Sequence, residues 1–272
     1  MQEALEDLPS PSIECHGPED FVAMRKAGRL AAELLDYITP YVQPGVLTDE
    51  LDRLCDQYTR DHGAISAPLG YRGFPKSVCI SPNHVVCHGI PGDKRLENGD
   101  IVNIDVTPLL NGWHGDTSRM FLVGDKISLK ARRLVDVTYE AMMRGIEVIK
   151  PGATLGDIGH AIQNYAEKER FSVVRDFCGH GVGKIFHTAP SVLHFGNPGE
   201  GELLQAGMFF TVEPMINAGK FDVKILSDNW TAVTKDKSLS AQFEHSIAVT
   251  ETGYEIFTQS PKGYHHPPYV MT

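Results

Sequence analysis

The chain has 272 residues, 42% of them hydrophobic, and a formal net charge of −10 at pH 7. That length and apolar content support a large core, and the acidic balance argues against a general nucleic-acid or anionic-membrane surface. No apolar run approaches the roughly 20 residues of a membrane span. The acidic start, MQEALEDLPSPS, lacks the hydrophobic stretch of a secretory signal, and five cysteines without a C-x-x-C pair fit a reducing cytoplasm.

Residues 1–17 read as a tail or a surface arm. Pro18, Glu19 and Asp20 suit a helix start, Pro in the first turn and acids at the positive end of the dipole. That helix is predicted to about Val42, with Leu30, Leu34 and Ile38 on one stripe. Pro44-Gly45 ends it, and Thr48 is the expected cap of a second helix burying Leu51, Leu54, Cys55 and Tyr58. Residues 64–75, rich in Gly, Pro and aromatics, read as a loop. Short strands follow near Ser77–Ile80 and Val85–Cys87.

Residues 99–123 predict a hairpin turning at Asn111-Gly112, a dipeptide suited to the type I′ turn, in which both central residues take positive φ. A two-residue turn there pairs 110 with 113, 107 with 116 and 105 with 118. Alternation puts Asp105 and Asp116 on one face as diagonal neighbours, about 7–8 Å apart. Val102, Ile104 and Val106 take the other face. Two facing carboxylates in a mostly apolar sheet repel and are costly to desolvate, and a divalent cation between them removes both problems.

Ser128 begins a third helix, to Ile149, carrying Leu134, Val137 and Ala141. Thr154, with Asp157 three residues on, makes a capping-box variant for a fourth, with Leu155, Ile158 and Ile162 as its stripe. Strands are predicted at Ser172–Val174, Val192–Phe195, Gly207–Glu213, Val223–Leu226 and Phe243–Thr250, then a tail over 261–272.

This order repeats. Pro44 matches Pro151, Gly99 matches Gly207 and Asp105 matches Glu213, while Asp116 and Glu244 each precede a polar pair and an apolar strand. Two related halves, about 18–125 and 126–260, would bring Asp105, Asp116, Glu213 and Glu244 to a shared centre. Four clustered carboxylates require about two divalent ions. His180, in Gly179-His180-Gly181-Val182-Gly183, biases such a site toward manganese, iron, cobalt or zinc. Two metals about 3.5–4 Å apart can share a hydroxide and polarise a carbonyl. His88 and His187, in parallel contexts, are candidates to bind substrate or stabilise an oxyanion. The glycines around His180 lack the spacing and following helix of a dinucleotide fingerprint. Asp116-Thr117-Ser118 lacks the second copy an aspartic-protease loop needs. The other histidines, His194 and His245 among them, read as surface or core.

Several motifs carry a family resemblance: Phe74-Pro75-Lys76-Ser77-Val78-Cys79, Val86-Cys87-His88-Gly89-Ile90-Pro91, the hairpin, the His180 segment, Thr211-Val212-Glu213-Pro214 and Ser240-Ala241-Gln242-Phe243-Glu244-His245. Over about residues 18–260 the sequence resembles the type I methionine aminopeptidases. The resemblance implies an α+β pita-bread fold, two pseudo-symmetric halves with a curved antiparallel sheet covered by helices, in one catalytic domain over 18–260. It implies removal of the initiator methionine before a small second residue by a water activated at a dinuclear metal centre. Its ligands would be Asp105, Asp116, His180, Glu213 and Glu244, with Glu213 also shuttling a proton. His88 and His187 would orient and stabilise the substrate amide. Tyr71, Phe74, Cys79, Phe186 and Trp230 would line the methionine pocket, a wall compatible with a thioether. A monovalent cation is implied at Asn83, Val85 and Ser240. Pro68 and Arg72 depart from the family's frequent Cys and His at the pocket rim. The implied partners are nascent polypeptide N-termini at the ribosome, with no nucleic acid or membrane, for a monomer. An Xaa-Pro peptidase and a catalytically dead binding protein on the same fold are the alternatives. The lack of an extra N-terminal domain speaks against the first, and retention of all the ligand types against the second.

Overall fold

The computed structural model describes residues 12–269. Among these residues lie four α-helices and a set of short strands whose pairings are antiparallel, an α+β composition. Helix α1 spans Pro18–Ile38 and passes into one 3₁₀ turn at Thr39–Tyr41, short of the predicted Val42. The reason is Pro40, which has no amide hydrogen to continue the ladder. Helix α2 spans Thr48–Asp61, but Thr48 is not its cap. Its hydroxyl instead donates to Gly92 O at 3.1 Å and accepts from Gly92 N at 3.0 Å, tying the helix start to the Gly-Pro loop before the hairpin. Helices α3 (Leu129–Glu147) and α4 (Leu155–Lys168) begin as predicted. Ser128 Oγ accepts from Ala131 N at 3.1 Å, and Thr154 and Asp157 form the reciprocal capping box.

The hairpin keeps the predicted register: Leu110 faces Trp113, Asp105 faces Ser118, and Asn111 and Gly112 take φ of 51° and 84°. It is paired in two stretches with a gap at Thr107 and Gly115-Asp116. At that gap the chain lies directly on α1. A Cβ on Gly115 would stand 2.1 Å from Ala27 O, so glycine alone allows the approach. The inner strands, Ile101–Val106 and Thr117–Leu122, form a sheet with Cys79–Pro82. In the second half Phe209–Val212 pairs with His245–Val249 on one side and Gly179–Gly181 on the other.

The two helix pairs pack on different strands. Leu34, Ile38 and Leu51 pack on Val102, Ile104 and Phe121, while Leu134, Ile146 and Ile162 pack on Phe210 and Ile247. A further cluster brings Met24 and Trp113 against Phe209 and Phe257. Residues 116–118 and 244–246 are hydrogen-bonded along a seam. Glu244 N donates to Ser118 O at 3.1 Å, Thr117 Oγ1 donates to Glu244 O at 2.7 Å, and Ser246 Oγ donates to Asp116 O at 2.7 Å.

Several strands depart from the sequence reading. The strand expected at 192–195 lies at Thr188–Val192, and the 64–75 loop contributes Ile65–Ser66 to the sheet edge. Gly179–Gly181, Met215–Asn217, Ala232–Thr234, Ser240–Gln242 and Tyr254–Ile256 were not anticipated. Such short strands show no alternation that a sequence window can detect. The closing segment is packed rather than free: Tyr264 is buried, Tyr269 Oη donates to Met120 O at 2.7 Å, and His266 lies 3.0 Å from Asp136. At the other end His16 stacks on Phe209, centroids 4.2 Å apart. Residues 1–11 and 270–272 of the predicted tails lie outside the described residues. Among the described residues no helix is long and apolar enough to cross a membrane.

Candidate metal centre

Four carboxylates arrive from two antiparallel strand pairs. Asp105 sits on the first inner strand opposite Ser118, and Asp116 lies in the gap just before Thr117. Glu213 follows Phe209–Val212 and Glu244 precedes His245–Val249. The seam between Asp116–Ser118 and Glu244–Ser246 holds one pair of strand ends against the other. His180 is the middle residue of Gly179–Gly181. Its flanking glycines permit close strand packing: a Cβ on Gly181 would fall 2.0 Å from Ala189 O.

One donor atom each from Asp116, His180 and Glu244 lies within 4.8 Å of the others. His180 Nε2 stands 3.6 Å from Asp116 Oδ2 and 3.5 Å from Glu213 Oε1. Its Nδ1 is 3.1 Å from Gly181 O, a bond that makes Nδ1 the protonated nitrogen and leaves Nε2 free as a donor atom. The carboxylates are oriented from behind. Thr107 Oγ1 donates to Asp116 Oδ1 at 2.8 Å, Thr211 Oγ1 to Glu213 Oε1 at 2.8 Å and Gln242 Nε2 to Glu213 Oε2 at 3.3 Å. Buried Gln242 Oε1 has no hydrogen-bond partner among the described residues. A converging set of oxygen donors with one imidazole fits a divalent transition-metal ion.

Burial raises the carboxyl pKa of Asp105, Glu213 and Glu244 well above their ordinary range, and the charge of Asp116 raises each further. Asp116 itself is pushed by burial from 3.8 up to about 7 against the opposing Thr107 hydrogen bond. Burial lowers His180 to about 4 and His187 to about 3, and lowers His88 as well. Without a cation the site therefore favours protonated carboxyls and neutral imidazoles. With its folded-state pKa raised, Asp116 contributes stability to the metal-free protein that is complete below 3.8 and lost as pH rises through about 7. A bound cation favours the charged carboxylates and removes that loss. The rise in melting temperature on adding manganese should therefore grow from pH 4 to pH 7. A rise that is flat across this range would contradict the carboxylates as ligands.

The cluster opens into a cavity of about 360 Å³. Asp105, Asp116, His180, Glu213 and Glu244 line it together with His88, His187, Tyr71, Phe74, Cys79, Phe186 and Trp230. His187 stacks on Tyr71 (centroids 5.0 Å apart) and lies 4.1 Å from the His180 ring. Trp230 meets Phe74 edge-on at 5.1 Å and His88 at 6.0 Å. Asn83, Val85 and Ser240 are not part of this lining. Ser240 N donates to Asn83 O at 2.8 Å, and buried Ser240 Oγ has no hydrogen-bond partner among the described residues.

Sequence reasoning gave no role to Thr107, Met215 or Gln242, which also line the cavity. Each is two residues from a carboxylate, so strand alternation applied to the acids would have found them. His194, assigned only to surface or core, is buried, and its Nε2 accepts from Glu213 N at 3.1 Å. Nothing in the local sequence links those two positions. His245 points away from the cluster, as alternation required, with Nδ1 2.8 Å from Thr258 Oγ1.

Fold and site define a metal-dependent class of protein, in which two strand pairs present acids and a histidine to a shared centre. The model of metallopeptidase family M24 matches residues 22–251. Methionine aminopeptidase of Rickettsia prowazekii is 62% identical over 260 residues, covering 95% of this chain and 100% of the relative. The crystal structure of methionine aminopeptidase from that organism superposes with a TM-score of 0.90, over 91% of this chain and 100% of its own. Prolidase from Pyrococcus furiosus shares the fold, with a TM-score of 0.73 at 23% identity over 90% of this chain and 65% of its own. The chain belongs to metallopeptidase family M24.

Proposed function

We infer that the protein acts as a methionine aminopeptidase, removing the initiator methionine from new polypeptides whose second residue is small. The observation that carries this reading is the convergence of Asp116, His180 and Glu244 within 4.8 Å at the floor of an aromatic, sulfur-lined cavity. Asp105, Asp116, His180, Glu213 and Glu244 would hold two divalent ions, with iron, cobalt, manganese and zinc as the candidates. Such ions supply Lewis-acid polarisation of the scissile carbonyl and acidify the attacking water.

The chain's own residues do the rest. Glu213, held by Thr211 and Gln242, takes the proton of the water and returns it to the leaving amine. His88 and His187 are neutral at pH 7 because burial lowers both, so each offers a hydrogen bond to the substrate amide without adding charge. Tyr71, Phe74, Cys79, Phe186 and Trp230 enclose the methionine side chain, a soft wall for a thioether. The orphaned Ser240 Oγ beside Asn83 supports a monovalent-cation position at Asn83, Val85 and Ser240.

The reading places the catalytic domain at 18–260 as a pita-bread fold, its halves 18–125 and 126–260 flanking a curved sheet. It makes the protein a cytoplasmic monomer working on nascent chains at the ribosome. The metal-loaded protein should release methionine from a Met-Ala peptide and leave Met-Lys and an Xaa-Pro dipeptide intact. Failure on Met-Ala refutes the function, and cleavage of the Xaa-Pro dipeptide in its place assigns the chain to prolidase chemistry.

A further inference from the structure

The stretch Pro68–Phe74 is wound tightly on itself. Tyr71 N donates to Pro68 O at 3.0 Å, Gly73 N to Gly70 O at 3.1 Å, Phe74 N to Tyr71 O at 2.9 Å and Gly70 N to Phe74 O at 2.8 Å. Phe74 anchors this stretch in the interior. Three of its residues take left-handed backbone: Gly70 at φ 83°, Gly73 at φ 89° and, between them, Arg72 at φ 47°. A long side chain disfavours that conformation, and where one is held there the surroundings must over-determine it. The result is an exposed arginine on a turn closed by four backbone hydrogen bonds. Its guanidinium lies 5.4 Å above the Tyr71 ring, and Tyr71 in turn stacks on His187. Nearby Lys76 is neutralised by Asp49, whereas Arg72 meets an aromatic face and forms no salt bridge among the described residues.

Among the described residues Arg72 is also the only lysine or arginine lining the cavity. The acids of the proposed metal centre share this lining, as does exposed Asp176, so Arg72 is the cation available there to a substrate carboxylate. Tyr71 stacks on His187 and Arg72 lies over Tyr71, so this guanidinium is next along the cavity wall from the histidine proposed to meet the first amide. An extended chain advances about 3.3 Å per residue, so the third residue is the first to clear the reacting amide.

We propose that Arg72 is a specificity-determining residue that favours substrates carrying a carboxylate side chain at the third position. The proposal rests on the methionine aminopeptidase reading of the site. Residue two meets the buried part of the site, while residue three passes the mouth, where Arg72 offers a charge-assisted hydrogen bond in a partly wet setting. An exposed pair of this kind is weak by stability standards. Exchanging attraction for repulsion there is still enough to change relative rates about three- to tenfold.

The test compares kcat/KM for C-terminally amidated Met-Ala-Asp and Met-Ala-Lys peptides of equal length with the manganese-loaded protein. The wild type should favour the Asp peptide by about three- to tenfold, less so at 1 M salt, where a charge at the surface is screened. Arg72→Gln should bring the ratio toward one, and Arg72→Glu should invert it. A loss of loop structure scales both rates together and leaves the ratio unmoved, so the ratio separates selection from folding. A ratio that Arg72→Glu leaves unchanged overturns the proposal. Failure of the wild type to cleave any Met peptide overturns the functional reading itself.

Discussion

Glu213→Gln is expected to lower turnover on a Met-Ala peptide by about a hundred- to ten-thousand-fold, the range associated with losing a positioned proton carrier. The amide keeps the shape of the carboxylate and an oxygen for the Thr211 hydroxyl, which now donates to Glu213 Oε1 at 2.8 Å. It cannot carry a proton, and it is a poor ligand beside His180 Nε2, 3.5 Å away. Asp105→Asn should lose activity on a similar scale through weakened metal binding. Neither change should unfold the protein. Asp105 and Glu213 lie partly buried beside Asp116, and in the metal-free chain removing one carboxylate removes repulsion and a desolvation cost. The measurements are kcat, bound metal per chain and the melting temperature of the metal-free protein at pH 7. Metal-free variants should melt no lower than their parent. Collapse of both would make these acids structural rather than functional.

Arg119→Met should be the most destabilising of the changes considered. Arg119, on Thr117–Leu122, reaches Asp36 on α1 with Nη1 2.6 Å from Asp36 Oδ1, both side chains 2% exposed. Arg119 Nη2 also donates to Ala32 O at 3.2 Å, and Ser260 Oγ donates to Asp36 at 2.8 Å, so strand, helix and C-terminal segment share one buried network. Methionine fills much of the volume but leaves Asp36 charged, buried and without its cation. The expected cost is about 3–5 kcal/mol in urea unfolding. Adding Asp36→Leu should recover a large part, because an apolar pair of similar volume removes the stranded charge. A single variant within about 1 kcal/mol of the parent, the ordinary size of a neutral hydrogen bond, would show the pair to be dispensable.

The hairpin register was legible because it depends on one turn and on alternation, both local. Asn111-Gly112 takes the required positive φ, and Asp105 falls opposite Ser118. The starts of α3 and α4 were legible for the same reason, their caps lying within three residues of the helix. The five proposed ligands also stood out, through the repeat, the glycines around His180 and the family motifs. What the sequence could not convey is that Glu244 N reaches Ser118 O and that Thr48 bonds Gly92 rather than capping α2.

By itself the sequence singled out the groups proposed to carry the chemistry and the short segments that present them, since turn dihedrals, strand alternation and helix caps act over a few residues. Only the tertiary structure decided how these segments meet. It joined Asp116 to Ser246, set His194 behind Glu213, tucked Tyr269 against Met120 and buried Arg119 with Asp36. The physical reason is that those contacts join residues distant in the chain. They become favourable only after packing brings the partners together and removes the water that would otherwise satisfy them.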